Sequence, residues 1–408
     1  MVSVATFVAS ILGFVAGSAS ADVCDTPSKL GDMGSFPGEV ITISGSLMER
    51  DEEMMTNTLS CFEKATGAVI KYSGSRDFAA LIVADLRSNN APNIAIFPQP
   101  GLAGDMAKEG HLVPLGDDLA DWMTENYGAG SSWVDLGTYA NAAGKKDFYG
   151  FAYKMDLKSL VWYSPENFAD GGYSVPKTME ELVVLSDKIV KDGGTPWCIG
   201  LGSGDATGWP ATDWVEDLML RTHPPAVYDG WVSNDIKFND PRIVSAIETF
   251  GKFAKNSDYV DGGMAAVGST DFRDSPKGLF TVPPRCYMHR QASFIPAFFP
   301  EGVEAGVDYD FFYFPAYATK DLGKPVLGGG TLFAATNDNQ ATMEFLKFLL
   351  HPEPNEWWMA KGGFLTPNKN ADLSAYSSDT FRKLGEVLTN ATTFRFDGSD
   401  LMPGAIGA

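Results

Sequence analysis

The sequence predicts an α/β protein of two lobes, each a doubly wound sheet flanked by helices, with hinge crossovers between them. Three observations predict it. Short β-branched runs alternate with amphipathic helical stripes from Val40 to Lys108. Strand-type sequence returns after Asp308, beyond a long and largely helical middle. The chain has 408 residues, more than a single hydrophobic core usually spans.

The elements follow in order. Val40 to Ser46 is a β-branched run suited to a buried parallel strand. Arg50 to Ala65 carries Met55, Leu59 and Phe62 at helical spacing, and Gly67 stands where that helix stops. Ala68 to Tyr72 reads as the second strand. Asp77 caps a helix bearing Leu81, Ile82 and Leu86, which breaks at Asn89-Asn90-Ala91-Pro92. Asn93 to Phe97 is the third strand, and Gly101 to Lys108 a third helix ending at Gly110. Such alternation builds parallel βαβ units.

In the middle, Thr178 to Val190 is an amphipathic helix with Thr178 as N-cap and Glu181 completing a capping box. Pro241 to Lys255 is another, capped by Asp240, with Ile243, Ile247, Phe250 and Phe253 on one side. Tyr309 to Phe314 then reads as strand, Gly328-Gly329-Gly330 as a loop, Thr331 to Thr336 as strand and Gln340 to Leu350 as helix. Glu356 to Lys361 is expected to recross. The expected allocation is residues 22–152 and 308–350 to the first lobe, 153–307 and 351–408 to the second.

Composition narrows the function. With 44% apolar and 20% charged residues the chain is foldable throughout. A net charge of −21 argues against nucleic acid and against an anionic bilayer as partner, and suits a soluble monomer. Val2 to Gly17 is apolar and is followed by Ala19-Ser20-Ala21, so residues 1–21 read as a secretory signal with the mature chain starting near Asp22, although no Lys or Arg precedes the apolar run. Four cysteines in an exported chain suggest disulfides, and four allow three pairings. The pairing adopted is Cys24 with Cys61, on the first helix, and Cys198 with Cys286 within the second lobe. The cysteine spacings match no zinc pattern and the four histidines are scattered, so no metal and no cofactor are expected.

In doubly wound sheets ligands collect beyond the carboxyl ends of the strands. Three polar loops fall there: Gly45 to Arg50, Ser73 to Asp77, and Pro98-Gln99-Pro100. Each alone reads as caps and solvated turns; together at one edge they read as a site, with Glu49, Arg50, Asp77 and Gln99 as its polar groups. A second constellation is Gly202 to Trp214, where small residues surround two Trp and two Asp. Its Gly-rich loop frees Trp209 to stand in a cleft, with Asp213 beside it, while Trp214 reads as core. A sugar site wants this mixture: planar polar side chains for hydroxyls, and rings for the C–H faces. Gly329 could let backbone amides approach a hydroxyl, and Phe364, after Gly362-Gly363, is a cleft candidate.

The chain resembles the extracellular solute-binding proteins of ABC importers, in particular the α-glucoside-binding proteins of Gram-negative bacteria. The resemblance is carried by Leu102, Met106, Gly110, Leu112, Pro114 and Leu115 after the third strand, and by Gly150 to Tyr163, where Ser164 replaces the usual acid or amide. Gly200 to Trp214, Arg285 to Phe294 and Trp358 to Lys369 are similar to the α-glucoside subgroup. The resemblance implies a Venus-flytrap fold, a periplasmic location, no catalysis, an oligosaccharide ligand and docking to membrane permease subunits. It also favours Arg76 as a ligand contact. Of His289-Arg290-Gln291, which follow the Cys286 segment, one is expected to face the cleft, with Arg290 or Gln291 preferred. Members of that family continue past Leu401 to Gly404 into closing helices, so a second lobe without them is expected.

Two other readings compete. A secreted glycoside hydrolase needs two carboxylates flanking one bond. Glu49, Asp77, Asp156 and Asp213 do not single out such a pair, and no Gly-x-Ser-x-Gly or HExxH motif occurs. A binding protein of the same fold for a non-sugar solute is the other.

Overall fold

The computed structural model describes residues 33–48, 50–75, 77–204 and 207–402; the side chain of Arg50 lies outside this description, as do the expected signal segment, Cys24, Glu49 and Arg76. The first lobe opens with β1 (Val40–Gly45), α1 (Arg50–Thr66), β2 (Val69–Gly74), α2 (Phe78–Arg87), β3 (Ile94–Phe97) and α3 (Pro100–Lys108). β1 pairs in parallel with β2 and β3, as the alternation requires. Its inward residues Ile41 and Ile43 are fully buried. The chain continues through α4 (Asp117–Asn126), α5 (Ser131–Leu136), the hairpin β4 (Thr138–Ala140) and β5 (Lys146–Phe148), and β6 (Gly150–Leu157).

The second lobe follows with β7 (Leu160–Tyr163), α6 (Pro165–Gly171), α7 (Met179–Lys191), α8 (Trp209–Thr222), α9 (Pro225–Val232), α10 (Pro241–Ala254), β8 (Met288–Arg290) and β9 (Asp310–Tyr313). Its sheet has the order β8-β7-β9, all antiparallel, and Trp197 extends it by single parallel bridges to Met288 and Val260. The doubly wound sheet expected for this lobe is therefore not what forms: its strands come from distant parts of the chain and pair antiparallel, with no βαβ crossover between them. The cap reading holds: Thr178 accepts from the Glu181 amide at 3.2 Å and Asp240 from the Arg242 amide at 3.0 Å. Glu181 departs from the box by accepting from the Lys177 amide. Ile247 is exposed while Ile243 and Phe253 are buried, because the buried stripe of α10 is narrower than the apolar one. The Cys198–Cys286 disulfide joins segments 88 residues apart, and the Cys198 amide also donates to the Met288 carbonyl.

The return is made by β10 (Pro325–Ala335), which runs antiparallel to both β3 and β6 and brings α11 (Gln340–Leu350) and α12 (Pro352–Lys361) behind it. After α13 (Asp379–Thr389) come β11 (Thr393–Phe396), parallel to β10, and the short α14 (Gly398–Leu401). The crossings therefore differ from the expected ones. The first lies at Lys158-Ser159, between β6 in the larger sheet and β7 in the smaller. β9 pairs with β7, so residues 308–313 stay in the second lobe. α12 packs on α1 and α11, and β11 joins the first sheet, so the segment beyond 350 mostly returns to the first lobe. α13 touches β9, and α14 reaches α8 and α9 of the second lobe. Sequence periodicity identifies elements but not which sheet edge accepts them. Among the described residues no helix is long and apolar enough to cross a membrane.

One apolar cluster runs from the Phe62, Phe345 and Phe348 rings of the first lobe across β6 to Trp162 and Phe311 of the second. The expected Gly328-Gly329-Gly330 loop is instead the middle of β10, with a bulge between Gly330 and Leu332. A Cβ on Gly328 would lie 2.4 Å from the Phe394 ring and 2.7 Å from the Asp156 carbonyl. With β6 on one side and β11 on the other, neither neighbour has room to yield. Gly328→Ala is expected to cost about 1–3 kcal/mol, the usual price of overpacking, read as a lowered urea midpoint with unchanged m.

Candidate functional site

The two crossing strands are pinned side by side: the Lys158 amide donates to the Leu327 carbonyl at 2.8 Å, and the Ser159 hydroxyl accepts from the Leu327 amide at 2.9 Å. That fixes Lys158 at the junction, with Gly329 beside it; a Cβ on Gly329 would lie 3.4 Å from Lys158 Cε. The ammonium donates to Asp213 Oδ1 at 2.9 Å and to Asp397 Oδ2, and stands 5.4 Å from the centroid of the Trp209 ring. One buried cation thereby joins α8, the end of β11 and the indole at the head of α8.

Burial opposes the charge on Lys158, yet Asp213, Asp397 and Asp400 hold its pKa well above the ordinary lysine value. Burial pushes Asp213 up to about 6, with Lys158 pulling against it. Asp397 is also buried, but Lys158 and Ser399 hold it at about 2. Glu216 is raised by burial and then by Asp397 and Asp213, although it accepts from the Gly398 amide at 2.9 Å and the Ser399 amide at 3.2 Å. Carboxylate oxygens of Asp213, Glu216 and Asp397 lie within 4.8 Å of one another. The Lys158 ammonium lies against this trio, bonded to two of its three carboxyls.

A second buried network locks α8 onto the crossings. Asp217 accepts from Ser159 Oγ at 2.9 Å and from Arg290 Nη2 at 3.0 Å, and pairs with Arg221 Nη2 at 3.1 Å. Arg221 also donates to the carbonyls of Phe314 and Pro325, both at 2.9 Å.

Trp209 is the first residue of α8, preceded by Gly208 at φ 118° and followed by Pro210. The glycine takes a backbone conformation that a side chain resists, and the proline suits the first helical turn. The indole is half-buried and meets Phe272 at 5.0 Å and Phe294 at 6.0 Å; Phe272 in turn meets Phe298 at 5.6 Å. All four rings are half-buried, forming an aromatic wall from three separate segments. The Phe272 loop is held there because its amide donates to the Gly202 carbonyl at 2.9 Å.

In the first lobe, the parallel register of β1, β2 and β3 puts the three polar loops at one edge, as expected. The Tyr72 hydroxyl donates to the Leu47 carbonyl at 2.8 Å and joins the first two loops. Asp77 is exposed at the N-cap of α2 and makes no side-chain cap bond. Gln99 occupies the N-cap position of α3, half-buried and without a side-chain cap bond, and its Oε1 has no partner among the described residues. α14 approaches this edge, since a Cβ on Gly101 would lie 3.4 Å from the Asp400 carbonyl.

Four expected site residues are placed otherwise. Phe364 is fully buried, stacked on Trp358 at 5.0 Å and edge-on to Tyr153 at 5.0 Å; the two glycines before it turn the chain inward. Gln291 is buried and accepts from the Ala292 amide. Arg290 is buried against Asp217, and Asp213 is buried against Lys158, so both support the site from behind. Lys158, Asp397 and the phenylalanines of the wall went unmarked in the sequence. Lys158 sits inside the Gly150–Tyr163 signature, which marked the hinge but not its chemistry; Phe272 lies in a turn and Phe298 in a single 3-10 turn, both too short for a periodicity to reveal them. A groove of about 1060 Å³ over α4, α11 and the start of α12 lies apart from all of these residues.

The model of the bacterial extracellular solute-binding protein family matches residues 58–383. The chain is 57% identical to the alpha-glucosides-binding periplasmic protein AglE of Rhizobium meliloti (strain 1021), over 91% of this chain and 81% of that protein. It is 43% identical to the osmoprotective compounds-binding protein GgtB of Synechocystis sp., over 94% and 89%. The solved structure of the bacterial solute receptor AcbH superposes with a TM-score of 0.74 at 16% identity, covering 91% of this chain and 90% of that one. A chitin oligosaccharide binding protein superposes with 0.68 at 18%, covering 89% and 90%. Two lobes meeting at a lysine-clamped hinge, and a sequence match that spans that hinge, establish that this chain is a bacterial extracellular solute-binding protein.

Proposed function

We propose that this chain is the periplasmic substrate-binding component of an ABC importer, taking an α-linked oligosaccharide between its lobes and delivering it to membrane permease subunits. The observation that carries the ligand class is the half-buried indole of Trp209 at the inter-lobe junction, outside the apolar core clusters, backed by Phe272, Phe294 and Phe298, which pack against the core behind it. Half-buried rings of this kind are what the C–H faces of a sugar pack against. From the opposite lobe, Glu49, Arg50, Arg76, Asp77 and Gln99 supply the hydroxyl partners in this reading. A neutral ligand fits the charge arrangement as well, since Lys158, Arg221 and Arg290 already have carboxylate partners within the protein. The name of the AglE relative supports the α-glucoside class.

The absence of catalysis belongs to the same reading. Asp213, Asp217 and Asp397 are buried and engaged by cations, which suits a scaffold and not an acid–base pair flanking a scissile bond. A ligand that bridges both lobes shifts the population toward the closed form, which is the form the permease would meet.

A thermal-shift series with sucrose, maltose and trehalose, against spermidine and phosphate, tests it. A bound disaccharide at a hundred times its dissociation constant adds about 2.7 kcal/mol of stability. A rise with one or more disaccharides and none with spermidine or phosphate is expected. No rise with any sugar overturns the sugar reading and points to the non-sugar solute class.

A further inference from the structure

We propose that the segment Phe396–Leu401 is a latch between the two lobes, clamped by Lys158, and that it holds more tightly in acidic than in alkaline medium. This rests on the reading that the lobes open and close. β11 is hydrogen-bonded into the first lobe's sheet beside β10, yet the residues that leave it are gripped by the second lobe. Tyr228 of α9 donates to the Phe396 carbonyl at 2.7 Å. Glu216 of α8 accepts from the Gly398 and Ser399 amides. Arg395 pairs with Asp229 of α9 through bonds of 2.6 and 2.9 Å. On the other side α14 lies against α3 of the first lobe. Gly398 is required at the grip, because a Cβ there would lie 2.9 Å from the Tyr228 hydroxyl.

The charges set the direction. The latch brings Asp397 and Asp400 to Asp213, Glu216 and Asp217 of α8, with Lys158 from the crossing, Arg290 from β8 and Arg221 from α8 as the cations. Five carboxyls thus meet three cations. Tyr228 and the Arg395–Asp229 pair complete the titratable groups of α9 and β11 that face the segment. Burial raises Asp400 to about 7 and Asp213 to about 6; the charge of Asp397 adds to both, and Lys158 opposes both. A carboxyl raised by folding contributes stability that is complete at low pH and is lost as pH rises through the raised value. Ionisation of Asp213 and then Asp400 sets like charges against one another across the latch, so it loosens between pH 5 and pH 8.

Amide hydrogen exchange read at Gly398–Leu401 in the full chain, corrected for intrinsic rates, tests this. Protection is expected to be about tenfold higher at pH 5 than at pH 8, the effect of one unit of pKa difference. Asp400→Asn should keep high protection at pH 8, and Gly398→Ala should lower it at both. Protection that does not change with pH, or an Asp400→Asn variant that follows the wild-type profile, overturns the latch. Small-angle scattering with saturating sucrose, maltose or trehalose is run alongside at both pH values. If no sugar compacts the protein while protection still follows pH, ligand-driven closure fails and the latch stands.

Discussion

Trp209→Ala is expected to weaken disaccharide binding by about 2–3 kcal/mol, on the order of 30- to 150-fold, with little change in the stability of the free protein. The magnitude follows from area: a pyranose face on an indole removes roughly 100 Å² of apolar surface from water, at about 25 cal/mol per Å². The selectivity follows from position. Trp209 is half-buried, outside the apolar core clusters, and its ring meets the half-buried Phe272 and Phe294 and the Lys158 ammonium. Isothermal titration with the disaccharide identified by thermal shift, together with a melt of the free variant, separates the two roles. A large fall in melting temperature with unchanged affinity would make Trp209 a packing residue and remove the main support for the sugar site. Phe272→Ala should show a smaller loss of the same kind, since it props the indole edge-on.

Lys158→Met is expected to destabilise the protein by about 3–5 kcal/mol, because removing one member of a buried ion network strands the others in a medium that cannot solvate them. Here two carboxylates, Asp213 and Asp397, lose their shared cation. The cost should shrink as pH falls, since the stranded acids then take up protons, whose binding substitutes for the missing ammonium. Urea midpoints at pH 5 and pH 7.5 check this, and the wild type should show the smaller pH effect. Adding Asp397→Asn to Lys158→Met should recover part of the loss, because one stranded charge goes with it. A variant as stable as wild type at pH 7.5 would mean that the junction hydrates freely, and the clamp assigned to Lys158 would fail with it.

Much of the fold was legible because local rules and tertiary demands agree. The strands and helices from β1 to α3 fall within a residue or two of the pattern, since the β-branched runs suit strands, fully buried in β3 and alternately buried in β1, and the helices between them are amphipathic. The caps at Thr178 and Asp240 are local events, decided within four residues of chain. The Cys198–Cys286 pairing was one of three possibilities and is the one formed. The glycines at 328–330 misled, because a Gly run reads as a loop unless one knows that strands press on both sides of it.

The site was legible by half. Trp209 stood out because a lone indole in a Gly-rich stretch has no helical or strand stripe to join. Asp213 stood out for its place beside Trp209, but whether a carboxylate faces a ligand or a lysine depends on what comes from elsewhere in the chain; Lys158 is 55 residues away and Asp397 is 239 from Lys158. By itself the sequence determined the alternation of elements, the two-lobed plan and the solute-binding family. Only the tertiary structure decided which acids are buried, where the chain crosses between lobes, and that its last strand feeds a segment gripped by both. The reason is physical: backbone preference and apolar period are properties of neighbours in sequence, whereas charge neutralisation is a property of neighbours in space.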